Sequence, residues 1–154
     1  MTTCDGRRKV VACAVVVAAL ALAGAKPPEP LEDVFPQTSA IVDAVVVRVV
    51  SEDAVDPAST STSKDAPKQV LLLKVNRVVR GQAALAKLVD KDGQLTVVKP
   101  AAPYKVKAGI KGPWLLHVDD KAHDVTVLGR YGPDSYTFEK LDAKLKELDP
   151  PSLR

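Results

Sequence analysis

The sequence has little cysteine: of its 154 residues only Cys4 and Cys13 carry a thiol, both near the N-terminus. From residue 14 onward the chain can hold neither a disulfide framework, nor a thiolate metal site, nor a cysteine nucleophile. Histidine is as scarce, His117 and His123 being the only two. Aromatic residues amount to 4%, namely Phe35, Tyr104, Trp114, Tyr131, Tyr136 and Phe138. Part of so small a set must serve the core, which leaves few stacking platforms for single-stranded nucleic acid. There is no Gly-rich phosphate loop, and no serine occupies a G-x-S-x-G turn. P-loop phosphoryl transfer and serine-hydrolase chemistry therefore have no anchor.

What the chain does have begins with its longest apolar run. Arg7, Arg8 and Lys9 precede 16 apolar or small residues, Val10 to Ala25, which end in Ala23-Gly24-Ala25. A basic flank, a short apolar stretch and a small-x-small site make a secretory signal, with Ala23 and Ala25 seated in the peptidase and cleavage after Ala25. The run falls short of the roughly 20 apolar residues of a membrane-spanning helix, and Lys26-Pro27-Pro28 cannot continue a helix. Val10-Val11-Ala12-Cys13 has the look of a lipid-attachment box, but it lies before the apolar run rather than after it. Setting aside residues 1–25 removes both cysteines and takes the formal charge from +3 to +1. The remainder is long enough to bury a core without disulfides. A nearly neutral chain has little long-range attraction for nucleic acid or anionic lipid. The expected address is secreted or periplasmic, with no stable membrane insertion after cleavage.

Residues 26–39 form a Pro-rich lead-in, strapped to the domain at Leu31, Val34 and Phe35. Ile41 to Val50 is dense in β-branched residues and reads as a strand covered on both faces. Asp53 to Pro67 is small, polar and turn-rich, a long loop. Val70 to Arg80 is a second strand, with Leu71, Leu73 and Val75 on one face and Lys74, Asn76 and Arg80 on the other; Gly81 ends it. Gln82 to Val89 reads as a short helix or structured loop. Asp92-Gly93 turns the chain into a third strand, Leu95–Lys99. Trp114–Val118 and Asp124–Arg130 make a hairpin. At Tyr136 to Leu148 the period changes: Phe138, Leu141, Leu145 and Leu148 share one helical face. Ser135 is the expected N-cap, Asp142 and Lys146 an i,i+4 pair, and Pro150-Pro151 the stop. Five mostly antiparallel strands in about a hundred residues must close their edges, and a small Greek-key barrel does so. An open sheet with the terminal helix across one face is the competing arrangement. The reading is thus mainly β, five strands and a C-terminal α-helix, over residues 40–149.

Val34-Phe35-Pro36-Gln37, followed by Asp43 to Glu52 (DAVVVRVVSE), resembles the opening of the tissue inhibitors of metalloproteinases and related netrin-type modules. Val78-Val79-Arg80-Gly81 is similar to that family's strand-two ending, and Gly112-Pro113-Trp114-Leu115-Leu116 to its strand-four aromatic-Leu step. Many bacterial secreted proteins carry a similar pattern. The resemblance covers roughly residues 34 to 131 and implies an OB-fold barrel. It fails at the inhibitory end. The eukaryotic inhibitors begin with a cysteine whose amine and carbonyl ligate the protease zinc, tethered by disulfides. Here the cleaved chain begins with Lys26 and has no cysteine. Lys26 to Ser39 is accordingly expected to be unpinned, with no preorganised terminal amine.

His117, Asp119, Asp120 and His123, with Asp124 beside them, are the weak candidates for a metal site. Their spacing matches no closed site, and a solvated acidic hairpin tip is the plainer reading. Lys99, Lys105, Lys107 and Lys111 read as edge-strand protection rather than a basic groove. Catalytic and cofactor-binding residues are not assigned. The function expected is that of a secreted, non-enzymatic binding module, inhibitor-like without N-terminal zinc chelation. Its partner is an extracellular or periplasmic protein rather than nucleic acid. The alternatives are a structural or envelope-associated domain, then a hydrolase.

Overall fold

A computed structural model of the chain describes residues 26–53, 66–101 and 104–148. The expected signal segment with Ala23 and Ala25 lies outside the described residues, as does most of Asp53–Pro67, the expected long loop. Strands β1 (Ala40–Glu52), β2 (Lys68–Arg80), β3 (Gln94–Pro100), β4 (Lys111–Asp119) and β5 (Asp124–Leu128) close into a barrel in the order β1-β2-β3-β5-β4. That strand order, with a C-terminal helix, is a small five-stranded OB-like Greek-key barrel. Every neighbouring pair is antiparallel except β3 and β5, which run parallel and meet at a single bridge, Val98 with Thr126. β1 pairs on both sides, with β2 along its length and with β4 over Ala40–Val45, and the sheet is a barrel rather than open because β3 closes on β5. Four register shifts in the β1–β2 ladder let β1 coil far enough to join both neighbours.

Alternation decides what the barrel encloses. Ala40, Val42, Ala44 and Val46 of β1 point inward with Leu71 and Leu73 of β2, Leu95 and Val97 of β3, and Trp114 and Leu116 of β4. Trp114 is fully buried, and its indole N–H donates to the Ala44 carbonyl at 3.1 Å. The expected cover on both faces of β1 holds only for its first half. Ile41 faces outward beneath the terminal helix, whereas Val47 and Val50 are 45% and 48% exposed. The ladder with β4 ends at Val45, where that exposed half begins.

Gly81 is where β2 has to end. It adopts φ +78°, and a Cβ there would sit 2.2 Å from the Ser39 carbonyl oxygen. Only glycine combines that conformation with that approach. The single turn α2 (Gln82–Leu85) follows, shorter than the Gln82–Val89 span, and lowers Leu85 into the end of the barrel.

A second core cluster lies outside the barrel. Helix α1 (Leu31–Val34) and the 3₁₀ turn Phe35–Gln37 bring Val34 and Phe35 against Ile41, Leu115, Tyr136 and Leu141. Leu141 comes from the terminal helix α3 (Phe138–Leu148), whose apolar stripe fades along its length. Leu141 is 1% exposed, Leu145 packs at the margin and Leu148 is 54% exposed. The cap is Thr137 rather than Ser135: its hydroxyl accepts from the Lys140 N–H (3.4 Å) and its carbonyl from the Leu141 N–H (3.2 Å). The Ser135 hydroxyl instead accepts from the Tyr131 N–H at 3.0 Å. The ion pair on α3 is Lys144–Glu147 (3.1 Å), not Asp142–Lys146.

The lead-in is strapped at Leu31, Val34 and Phe35 as expected, but it is not unpinned upstream of them. Arg130, Tyr131 and Tyr136, which follow β5, hold the carbonyls of Lys26, Pro27 and Glu29. Side-chain hydrogen bonds supply the tether that the absent cysteines do not.

Candidate functional site

The outward faces of β2, β3 and β5 form a groove of about 380 Å³ on the barrel wall. Its floor is a row in register across three strands: Val70 opposite Val98, and Val98 opposite Thr126. Lys68 and Pro100 form the next row, with Asp124 beside them. Ser51 and Asp53 close one end, where β1 finishes. That corner is fixed by backbone: the Asp53 N–H donates to the Lys68 carbonyl (2.9 Å), and the Lys68 N–H to the Asp53 carboxylate (3.1 Å). The Ala101 N–H donates to the Pro67 carbonyl (2.8 Å), which ties the β3 end to the same corner.

The groove thus offers an apolar floor with two carboxylates and one ammonium at its rim. Strand residues on the wet side of a barrel are ordinarily polar, so valine at positions 70 and 98 is the departure. It suits a partner that lays an apolar contact across the strands and sets charges at its ends. The sequence carries a trace of this. In Leu95–Lys99 (LTVVK) the inward set is Leu95 and Val97, which leaves Val98 as a β-branched residue pointing out.

The four metal candidates are not brought together as ligands. Among the described residues no group of three or more His, Asp or Glu side chains is placed to hold a metal ion. Asp119 is taken by its own turn, its carboxylate accepting from the Lys121 and Ala122 N–H groups at 2.9 and 3.2 Å. His117 Nδ1 lies 3.1 Å from the Gln37 carbonyl, an arrangement in which Nδ1 carries the proton and donates. His123 sits at the tip with φ +57°, beside Asp120, in a shallow depression shared with α2.

The lysine series does not act as one edge. Lys99 is 1% exposed. Its ammonium donates to the carbonyls of Pro100 (2.8 Å) and Tyr104 (2.5 Å) and lies 5.9 Å from the Tyr104 ring centroid. Among the described residues no carboxylate pairs with it. Burial without a counter-charge pushes its pKa down to about 8. Lys105 reaches across to Glu52. Hydrogen bonds from Lys105 and then Gln69 hold the Glu52 carboxyl below its ordinary value. Gln69, fully buried, imitates a neighbouring strand: its amide donates to the Val106 carbonyl (3.1 Å) and accepts from the Val106 N–H (2.8 Å). It also donates to Glu52 at 2.9 Å. These polar residues lock the Ala101–Ile110 connection across the barrel end.

The aromatics are spent elsewhere than the groove. Phe35, Trp114 and Tyr136 are buried, Phe138 carries the Arg77 guanidinium 5.9 Å from its centroid, and Tyr104 meets Tyr131 edge-on at 6.1 Å. None of the described residues lining the groove is aromatic. No family model matches this chain, and no curated protein matches it.

Proposed function

We propose that this chain is an exported, non-enzymatic binding module that engages an extracellular or periplasmic protein through the groove across β2, β3 and β5. The observation that carries the reading is the Val70–Val98–Thr126 row, an apolar floor on an outer wall, between the charged ends Asp53, Lys68 and Asp124. Export is supported by the Arg7-Arg8-Lys9 flank, the 16-residue apolar run and the Ala23-Gly24-Ala25 site.

The similarity to tissue inhibitors and netrin-type modules extends this to inhibition of a secreted protease, without terminal zinc chelation. The physical reason differs from a loose terminus, since the lead-in is held. The Lys26 carbonyl, which would have to serve as a zinc ligand beside the new amine, accepts the Tyr131 hydroxyl instead. Chelation would have to break that contact and undo the strap behind it.

Two measurements test the reading. N-terminal sequencing of protein recovered outside the cytoplasm is expected to begin at Lys26. Titration against a panel of secreted proteases, with and without N-terminal acetylation, follows binding by calorimetry and inhibition by residual activity. Binding is expected to fall at least tenfold in Val98→Arg, whose half-buried side chain lies on the outer wall, outside the barrel core, with little change in the unfolding midpoint. Equal binding by Val98→Arg would remove the groove from the mechanism, and inhibition abolished by acetylation would restore terminal chelation.

A further inference from the structure

Lys26-Pro27-Pro28-Glu29-Pro30 is shaped by its prolines before it touches anything. Pro27, Pro28 and Pro30 have φ fixed near −65°. Lys26, Pro27 and Glu29 each precede a proline and are steered to extended ψ. The prolines thus steer the segment to polyproline II, the conformation that Pro30 adopts at φ −54°, ψ 134°. Such a strand has no internal hydrogen bonds and three residues per turn, so carbonyls three apart point the same way.

The residues after β5 are matched to that geometry. The Tyr131 hydroxyl donates to the Lys26 carbonyl and the Tyr136 hydroxyl to the Glu29 carbonyl at 2.9 Å, one polyproline turn apart. Between them, the Arg130 guanidinium donates to the Pro27 carbonyl at 2.6 Å. The Arg130 N–H and guanidinium also engage the Glu29 carboxylate, at 2.8 and 3.7 Å. Burial, then the Glu29 carboxylate, push the Tyr136 phenol up to about 12, so it stays a donor throughout the working pH range. Two tyrosines and an arginine reading free carbonyls of a proline strand, with one carboxylate for polarity, is peptide-recognition chemistry. Beside the strap a groove of about 530 Å³ remains open towards α3, lined there by Lys140, Ala143 and the Lys144–Glu147 pair, with Glu32 opposite.

We propose that Arg130, Tyr131 and Tyr136 form a receptor for proline-rich extended segments that carry a carboxylate, and that residues 26–30 are its resident intramolecular ligand. A partner carrying such a segment displaces the strap and gains room along Lys140 and Lys144. Because the strap is tethered, it competes at an effective concentration on the order of millimolar, so the surface is masked until the strap is displaced. This surface is separate from the groove across β2, β3 and β5 and stands or falls apart from it.

The probe is a labelled, amidated peptide Lys-Pro-Pro-Glu-Pro. Its binding is followed by fluorescence anisotropy to the intact chain and to a strap-weakened chain with Pro27→Gly, Pro28→Gly and Glu29→Ala. These three positions lie upstream of the buried Val34 and Phe35. At least fivefold tighter binding to the weakened chain, lost again when Arg130→Ala is added, is expected. Equal binding to both, or binding that survives Arg130→Ala, overturns the proposal. Concentration-dependent dimerisation of the weakened chain in place of peptide binding overturns it in favour of a second copy as occupant. The intact chain gives an independent readout: excess peptide is expected to shift the amide resonances of Arg130 and Tyr131, and shifts absent there overturn the assignment.

Discussion

Lys99 makes the stability of this fold rise with pH on the mildly alkaline side. Its ammonium is buried among carbonyls and an aromatic ring without a counter-ion, which lowers its pKa from 10.5 to about 8. In the unfolded chain the lysine keeps its ordinary value, so between about pH 8 and 10.5 the unfolded state binds more protons than the folded one. Stability then rises with pH across that window. Working the linkage from pH 7 to 9.5 gives a gain of about 2 kcal/mol from this one group, most of it above pH 8. With a urea slope of roughly 1–3 kcal/mol per molar, the unfolding midpoint should move up by about 1 M. The window has an upper limit. Tyr136, raised to about 12, and Tyr104, also raised by burial, ionise more easily once unfolded and reverse the trend above about pH 10. Urea titrations at pH 7, 8, 9 and 9.5, on the native chain and on Lys99→Met, measure the effect. Methionine preserves the length of the buried side chain and removes the proton equilibrium. The native chain should gain stability and Lys99→Met should stay flat. An equal rise in both proteins would refute the assignment to Lys99, and a native midpoint that falls from pH 7 to 9.5 would refute the sign.

Further expectations rest on single contacts. Leu141→Ala opens the outer cluster at its most buried leucine and should cost about 2–5 kcal/mol in denaturant titration, whereas Leu148→Ala should change the midpoint by no more than about 0.5 kcal/mol. A Leu148→Ala loss as large as that of Leu141→Ala would place the helix differently. Gln69→Leu keeps the bulk but strands the buried N–H and carbonyl of Val106, a loss of about 2–6 kcal/mol at roughly 1–3 per orphaned group. Chevron or equilibrium data showing less than about 1 kcal/mol would mean that water reaches Val106. Gly81→Ala confronts both the left-handed backbone and the Ser39 carbonyl, and should yield insoluble or unfolded protein by circular dichroism.

Much of this architecture could be read along the chain because the signals are local. β-Branched runs punctuated by Gly81 and Asp92-Gly93 marked the strands, and the 3-4-3 spacing from Phe138 marked α3. The barrel followed from counting unpaired edges. What escaped reading depends on partners far away in sequence. The donors that hold the strap lie 103 to 107 residues from the carbonyls they bind. Gln69 meets Val106 across 37 residues, with nothing in K-Q-V-L-L to distinguish it from a solvated glutamine. Lys99 alternates as an inward residue of β3, so its position was legible, but lysine on an edge strand is so commonly protective that its burial was not. For the site, the adjacent pair Val97-Val98 required one valine to point out, but the structure decides that it is Val98. Its alignment with Val70 and Thr126 required the closure of β3 on β5.

That closure has a mechanical consequence. A five-stranded barrel is a hoop, and here four joins are full ladders while the fifth is one bridge, Val98 with Thr126. Such a ring gapes first at its weakest join, leaving the other ladders zipped. Amide protons bordering β3 and β5 would then exchange with solvent ahead of those shared by β1 and β2. Whatever lies across Val70, Val98 and Thr126 spans the gap like a staple over a split ring. Occupancy of that wall would therefore stiffen the entire barrel, slowing exchange in strands the ligand never touches.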